Sequence, residues 1–150
     1  VTDSHIYANA WVRVYLDCGT PRQCRNENDL YKRITSDLHN IVPADSRFEL
    51  KRKNAHFGEL GSEVEVEDCG FRRSFQLLQP PKDIKGDIAR AILYMHEAYD
   101  LPTRGSIVDL KNWNKADRPS EEEIARNKRI GEIQGNENPF INNPEKADAL

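Results

Sequence analysis

No run of about 18 apolar residues occurs in the sequence, so no segment reads as a membrane-spanning helix. There is no G-x-S-x-G and no phosphate-binding P-loop, which removes the serine-hydrolase elbow and that form of nucleotide cradle. None of the four histidines (His5, His39, His56 and His96) lies at i, i+4 from another, and no C-x-x-C is present, so structural zinc is discounted. No internal repeat is visible. A cationic excess is missing too: 22 basic residues stand against 25 acidic ones, a net charge of −3. That excludes a polycationic nucleic-acid packer but not an enzyme that needs only a local positive groove. The three cysteines are an odd number, so at least one has no partner within the chain. The sequence opens at Val1 without methionine and reads as a processed or trimmed product, any signal peptide already removed. Its 150 residues suit one domain with a core.

What is present patterns as a mixed α+β domain with a small sheet and several helices. His5-Ile6-Tyr7 opens a short strand, followed by irregular or helical structure to residue 17. Cys18 and Cys24 close a compact loop containing Gly19 and Pro21. Two readings fit it, an easily closed local disulfide or two free thiols. Asn26 or Asn28 caps a helix over 28–38 with Leu30, Ile34 and Leu38 on its apolar face. After Pro43 a short, basic helix spans 46–54. Strict alternation in Glu63-Val64-Glu65-Val66-Glu67 predicts a half-exposed strand, with Phe71 to Leu77 returning as its hairpin partner. A helix over 83–99 carries the stripe Ile84, Ile88, Ala91, Ile92, Met95 and Tyr99, and Pro102 stops it. Another starts at Ser120, with Glu123 at capping-box spacing, and ends before Gly135. Asn127 sits between Ile124 and Ile130 on its face, as a buried asparagine tying loops together. Residues 1–143 are expected to form the domain and 144–150 a disordered tail.

The net acidity is local. Residues 61–68 hold four acidic residues and no basic one, whereas 1–60 hold nine basic and eight acidic residues and 69–150 hold thirteen of each. Basic knots stand at Arg22/Arg25, Lys51-Arg52-Lys53 and Arg72-Arg73. Each alone is a solvated face; together they suit a phosphate path.

Ordered motifs then carry a family resemblance. Ser36-Asp37-Leu38-His39-Asn40-Ile41-Val42-Pro43 resembles the [SA]-D-hydrophobic-H-N-hydrophobic-x-P stretch of the bacterial endonuclease I family. These are periplasmic or secreted nucleases with a His-Me finger, or ββα-metal motif. His5-Ile6-Tyr7 with Trp11-Val12 resembles the family's E-H-[VI]-x-P-x-x-W segment. Lys85-Gly86-Asp87-Ile88-Ala89-Arg90 with Tyr94-Met95 resembles its R-G-x-I-A-R-x-x-x-Y-M helix. Trp113-Asn114, Asn127, Gln134-Gly135-Asn136 and Asn138-Pro139-Phe140-Ile141 resemble its ending. The Cys18–Cys24 loop also falls where the family carries one, and a disulfide there is what the resemblance implies.

The resemblance implies a metal-dependent, sequence-non-specific endonuclease acting on DNA, and possibly RNA, through phosphate contacts, with no membrane partner. His5 would be the general base, imidazole being suited to proton transfer near neutral pH. Arg22 or Arg25 would neutralise phosphate charge in the transition state. Lys51, Arg52, Lys53, Arg72 and Arg73 would bind substrate; His39, Asn40, Asn54 and Asn127 would support the site. The departures are informative. Ser4 replaces a glutamate, Ala8 a proline, Thr35 a glutamate, and Glu49 the asparagine that ligates metal. Mg²⁺ favours oxygen ligands and is usually held by one or two carboxylates. The carboxylate lost at Ser4 is thus regained at Glu49, moving the charge from strand to helix. Glu49 is then the main anchor for Mg²⁺ (Ca²⁺ or Mn²⁺ as substitutes), with Ser4 offering a hydroxyl. The alternatives are a silent relative in which Glu49 only pairs with Arg52 or Lys53, or a binding module.

Overall fold

A short antiparallel ladder and the helix that follows it organise the N-terminal half. In this computed structural model, which describes residues 1–150 apart from the side chain of Asp68, β1 (Thr2–His5) pairs with β2 (Ile41–Ala44), setting Ser4 opposite Val42 and His5 opposite Ile41. Asn40 prolongs the ladder. Its carbonyl accepts from Ile6 N, and its side-chain amide brackets Tyr7, accepting from Tyr7 N at 2.6 Å and donating to Tyr7 O at 3.0 Å. Asp45 caps the next helix, α4 (Ser46–Arg52), by accepting from the backbone N–H groups of Arg47 and Phe48. Helix α4 packs on β1, completing a ββα unit.

The chain between β1 and β2 is an excursion of three helices, α1 (Asn9–Leu16), α2 (Pro21–Glu27) and α3 (Asp29–Thr35). The Cys18–Cys24 disulfide is formed. Its enclosed segment is more than a turn: Thr20 and Gln23 form a reciprocal capping box, and Pro21 at the first position starts α2. Asn28 caps α3. That helix stops at Thr35 and buries Tyr31 and Ile34, while Leu30 stays 41% exposed, so the apolar face is rotated from the expected one.

A second sheet has the order β3 (His56–Phe57), β5 (Leu77–Gln79), β4 (Arg72–Ser74), with β3 parallel and β4 antiparallel to β5. The strand expected over 63–67 is not formed. Only Val66 bridges to Arg72, and Val66 is 56% exposed, so the alternation has no buried surface to face. The hairpin partner of residues 72–74 is the segment immediately after it.

The core is built around α5 (Lys85–Tyr99), which buries Ile88, Ala89, Ala91, Ile92, Leu93 and Met95. Each large apolar side chain of this kind contributes about 1.5–3 kcal/mol when fully buried. Helix α6 (Ile107–Ala116) lies against it through Leu110 and Trp113. Ser106 caps it by accepting from Asp109 N, and no helix was expected there from the sequence. Helix α7 (Glu121–Gln134) starts at Ser120, which accepts from Glu123 N. The Glu123 side chain turns inward instead of closing a capping box, and its two oxygens accept from Nε and Nη2 of the buried Arg90, each at 2.7 Å. Helix α8 (Pro139–Asn142) follows. Residues 144–149, expected as a disordered tail, form a 3₁₀ turn with Pro144 and Ala147 buried, held where Asn114 Nδ2 donates to Pro144 O at 2.9 Å.

Candidate active site

His5 ends β1 half-buried, and its Nε2 lies 2.9 Å from the carbonyl oxygen of Thr35, the last residue of α3. A carbonyl only accepts, so Nε2 carries the proton of the neutral ring. Nδ1 is therefore the nitrogen with the free lone pair. The ring is oriented by backbone from a helix 30 residues away, as a positioned base requires.

Arg52, expected on the substrate path, is instead 3% exposed. Its Nη1 donates to His5 O at 2.5 Å and its Nη2 to Ile6 O at 2.7 Å. The guanidinium also sits 4.7 Å from the Phe57 ring centroid and 5.6 Å from that of Trp11, a cation–π arrangement. Burial pulls its pKa down to about 10, with the Glu49 carboxylate opposing the shift. It remains charged at neutral pH and fixes the end of β1 rather than meeting a phosphate.

Glu49 lies on α4 one turn before Arg52. Its Oε2 is shielded from solvent and has no hydrogen-bond partner. Among the described residues no cation pairs with it, so the expected alternative of a pair with Arg52 or Lys53 is not what the structure holds. Arg52 is near enough for the two charges to be felt but donates no hydrogen bond to Oε2, and a shielded carboxylate oxygen without a donor is costly. No cluster of three or more His, Cys, Asp or Glu side chains suits a metal among the described residues. The donor set thus fits a hard cation that keeps most of its waters, and fits poorly a fully protein-caged one. Ser4 is buried on the face of β1 opposite His5 and lines an apolar cavity of about 320 Å³ with Ile6, Val42, Phe48 and Phe71, whereas Glu49 is not part of that lining.

The other expected residues fall into two groups. Arg22 and Arg25 are exposed on α2 with no hydrogen bond or ion pair to protein among the described residues. Lys51 and Lys53 are exposed beside a groove of about 450 Å³, which Arg73 and Gln76 also line. Arg73 is partly tied, with Nε 3.7 Å from Glu67 and Nη1 donating to Arg52 O, and Arg72 donates to Gly61 O. His39, Asn40, Asn54 and Asn127 sit in structural networks. His39 is buried, with Nε2 2.9 Å from Asn136 O, and desolvation depresses its pKa. Asn54 accepts from the Trp11 indole through its carbonyl, and Asn127 joins Asn138 to Asn142. His56 packs edge-on against Trp11, and His96 meets Leu101 O. Cys69 is exposed and outside the disulfide.

One cluster was not foreseen. Asp37 accepts from the hydroxyls of Tyr94 at 2.6 Å and Tyr99 at 2.5 Å, from Gln134 Nε2 and from His39 N. Burial alone would raise its carboxyl, but these donors together hold it below the ordinary value. The cluster joins the turn after α3 to α5 and α7, and so stabilises the segment that supplies the Thr35 carbonyl.

A histidine at the end of a strand, a paired antiparallel strand and a carboxylate-bearing helix define the arrangement of a His-Me finger, consistent with a nuclease fold of that class. The chain belongs to the endonuclease I family, whose family model matches residues 9–145. The matched span includes Glu49 and begins after Ser4 and His5. An "Extracellular deoxyribonuclease" of Aeromonas hydrophila is 34% identical over 128 residues, covering 82% of this chain and 55% of that protein. A "Periplasmic deoxyribonuclease" of the same organism is 36% identical over 116 residues, covering 74% and 49%. An "Extracellular ribonuclease" of Bacillus subtilis (strain 168) is 30% identical over 161 residues, covering 95% and 52%. The chain spans about half the length of the curated relatives it matches. No helix is long and apolar enough to cross a membrane among the described residues.

Proposed function

We propose that this chain is a periplasmic or secreted endonuclease that hydrolyses phosphodiester bonds of DNA, and of RNA, without sequence preference. The observations that carry the reading are an oriented imidazole, His5 Nε2 on Thr35 O, and a shielded, unpartnered carboxylate oxygen of Glu49 on α4, the helix that packs against β1. His5 accepts the proton of the attacking water at Nδ1, keeping Nε2–H on the Thr35 carbonyl, so the imidazolium that forms already has one hydrogen bond in place. Arg22 and Arg25 are the free cations available to offset phosphate charge from α2, and Lys51, Lys53, Arg72 and Arg73 line the approach. Glu49 would hold Mg²⁺, with Ca²⁺ or Mn²⁺ as substitutes, and the ion would supply polarisation of the phosphate and stabilisation of the leaving 3′ oxygen. The product carries a 5′ phosphate. Contacts of this kind go to the backbone, which carries no direct sequence information. Relatives named as deoxyribonuclease and as ribonuclease support both substrates.

The test is degradation of plasmid DNA and of RNA by the parent with Mg²⁺ and with EDTA, beside His5→Ala and Glu49→Ala. Cleavage that needs the cation and is lost in both variants supports the proposal. A parent that binds an oligonucleotide yet never cuts it would support a silent binding module, the reading that Ser4 in place of an acidic residue favours.

A further inference from the structure

Phe75 stands at the tip of the β4–β5 hairpin. Ser74 and Leu77 are register partners, so Phe75 and Gln76 are the whole connection. The first of these two residues has φ +53° and the second has no positive φ. In two-residue hairpin loops that first position usually falls to glycine or asparagine, because a bulky L residue is strained there. The chain places a phenylalanine in it and leaves the ring 99% exposed. Neither packing nor turn chemistry accounts for this choice, and strained residues of this kind collect at functional positions.

The surroundings name the ligand. Phe75 rims the groove of about 450 Å³ whose other walls include Lys51, Lys53 and Arg73, with Glu67 beside Arg73. Lys51 and Lys53 have no ion-pair partner among the described residues. Lys51 lies on α4 and Lys53 caps its C-terminal end, so the groove adjoins the helix that carries Glu49. An exposed aromatic face next to free cations is how proteins hold single strands: the cations track phosphates and the ring stacks on a base.

We propose that Phe75 is a stacking platform for an unpaired base of the nucleic-acid strand, leading that strand from the groove toward Glu49 and His5. The inference rests on the nuclease reading and deepens it: the enzyme engages strands whose bases are already unstacked more tightly than closed duplex. Phe75 acts on positioning and takes no part in the bond-making step.

The experiment uses a single-stranded oligonucleotide carrying 2-aminopurine, whose fluorescence responds to stacking, and a duplex of the same sequence. Both are titrated with the parent, Phe75→Ala and Phe75→Trp in EDTA, with cleavage of plasmid in Mg²⁺ measured alongside. Stacking predicts that Phe75→Ala weakens single-strand affinity by about 5- to 150-fold and abolishes the fluorescence change. Phe75→Trp restores both, and duplex affinity shifts less than single-strand affinity. A parent that cuts DNA but gives no stacking signal, or a Phe75→Ala variant that binds single strands like the parent, overturns this inference alone. A parent that neither binds nor cuts overturns the nuclease reading beneath it. Binding of anionic vesicles that depends on Phe75, without a stacking signal, would reassign the tip to a membrane surface.

Discussion

Arg52 and His5 are joined through the backbone: the guanidinium donates to the carbonyl of the very residue whose ring is the candidate base, and to that of its neighbour Ile6. The strand end is thus fixed on one side by Arg52, while the ring is fixed on the other by Thr35 O. Removing the guanidinium leaves two carbonyls without donors in a buried setting. Arg52→Ala is expected to lower unfolding free energy in urea by about 2–5 kcal/mol. Arg52→Lys should recover only part of this, because an ammonium lacks the planar fork that meets both oxygens. A loss below about 0.5 kcal/mol in Arg52→Ala would show that these bonds do not secure β1.

His5 is half-exposed and makes one hydrogen bond of ordinary length, so His5→Ala should cost the fold only about 1 kcal/mol. The cleavage rate should fall by about 10²–10⁴-fold, the usual contribution of a positioned base. Rates of plasmid nicking at saturating Mg²⁺ check this, with urea unfolding run on the same preparations. A variant that nicks at the parental rate removes His5 from the reaction.

Glu49 is separable from activity by stability. In EDTA, Glu49→Gln should unfold within about 0.5 kcal/mol of the parent, since the shielded Oε2 makes no hydrogen bond to lose. Adding Mg²⁺ should raise the parent's thermal midpoint and leave the variant's unchanged, because an ion bound only to the native state stabilises it by mass action. Equal Mg²⁺ shifts in the two proteins would place the cation elsewhere.

Asp87 gives a pH dependence with a definite sign. Burial, reinforced by the Glu123 carboxylate and opposed by Arg90, pushes its carboxyl up to about 7. The folded state therefore holds a proton that the unfolded chain releases near pH 4. This contribution to stability is complete below about pH 4 and is lost as pH rises through 7. Asp87→Asn cannot lose that proton, so its gain in thermal midpoint over the parent should be larger at pH 8 than at pH 5. The depressed His39 acts in the opposite direction and is common to both proteins, so it cancels in the comparison. Equal gains at the two pH values would contradict the assignment.

The two longest helices, α5 and α7, were legible because their signals are local, whereas α6 was not expected. Asn28 and Ser120 cap where expected, and the stripe of α5 faces the core. The strands are two to four residues long, too short for periodicity to show. In residues 63–67 the alternation was real in sequence but had nothing to pack on. The tail was misjudged because its order comes from Asn114, 30 residues earlier. Within the candidate site, the sequence motif singles out Glu49 as the proposed cation ligand, and the structure shows its Oε2 without a hydrogen-bond partner. Arg52 was not separable in sequence from Lys51 and Lys53, since burial alone distinguishes them. The seat of His5 could not be read at all, because it is a backbone carbonyl, which every residue possesses.

That seat has a consequence for anyone seeking a smaller scaffold. A peptide cut down to the two strands and α4 would keep both His5 and Glu49 yet lose the end of α3. Its imidazole would then exchange freely between tautomers, with no rule for which nitrogen faces solvent. The orientation of one ring is therefore inherited from an excursion of three helices, and the minimal unit of this candidate site is set by a fold element that contributes no side chain to it.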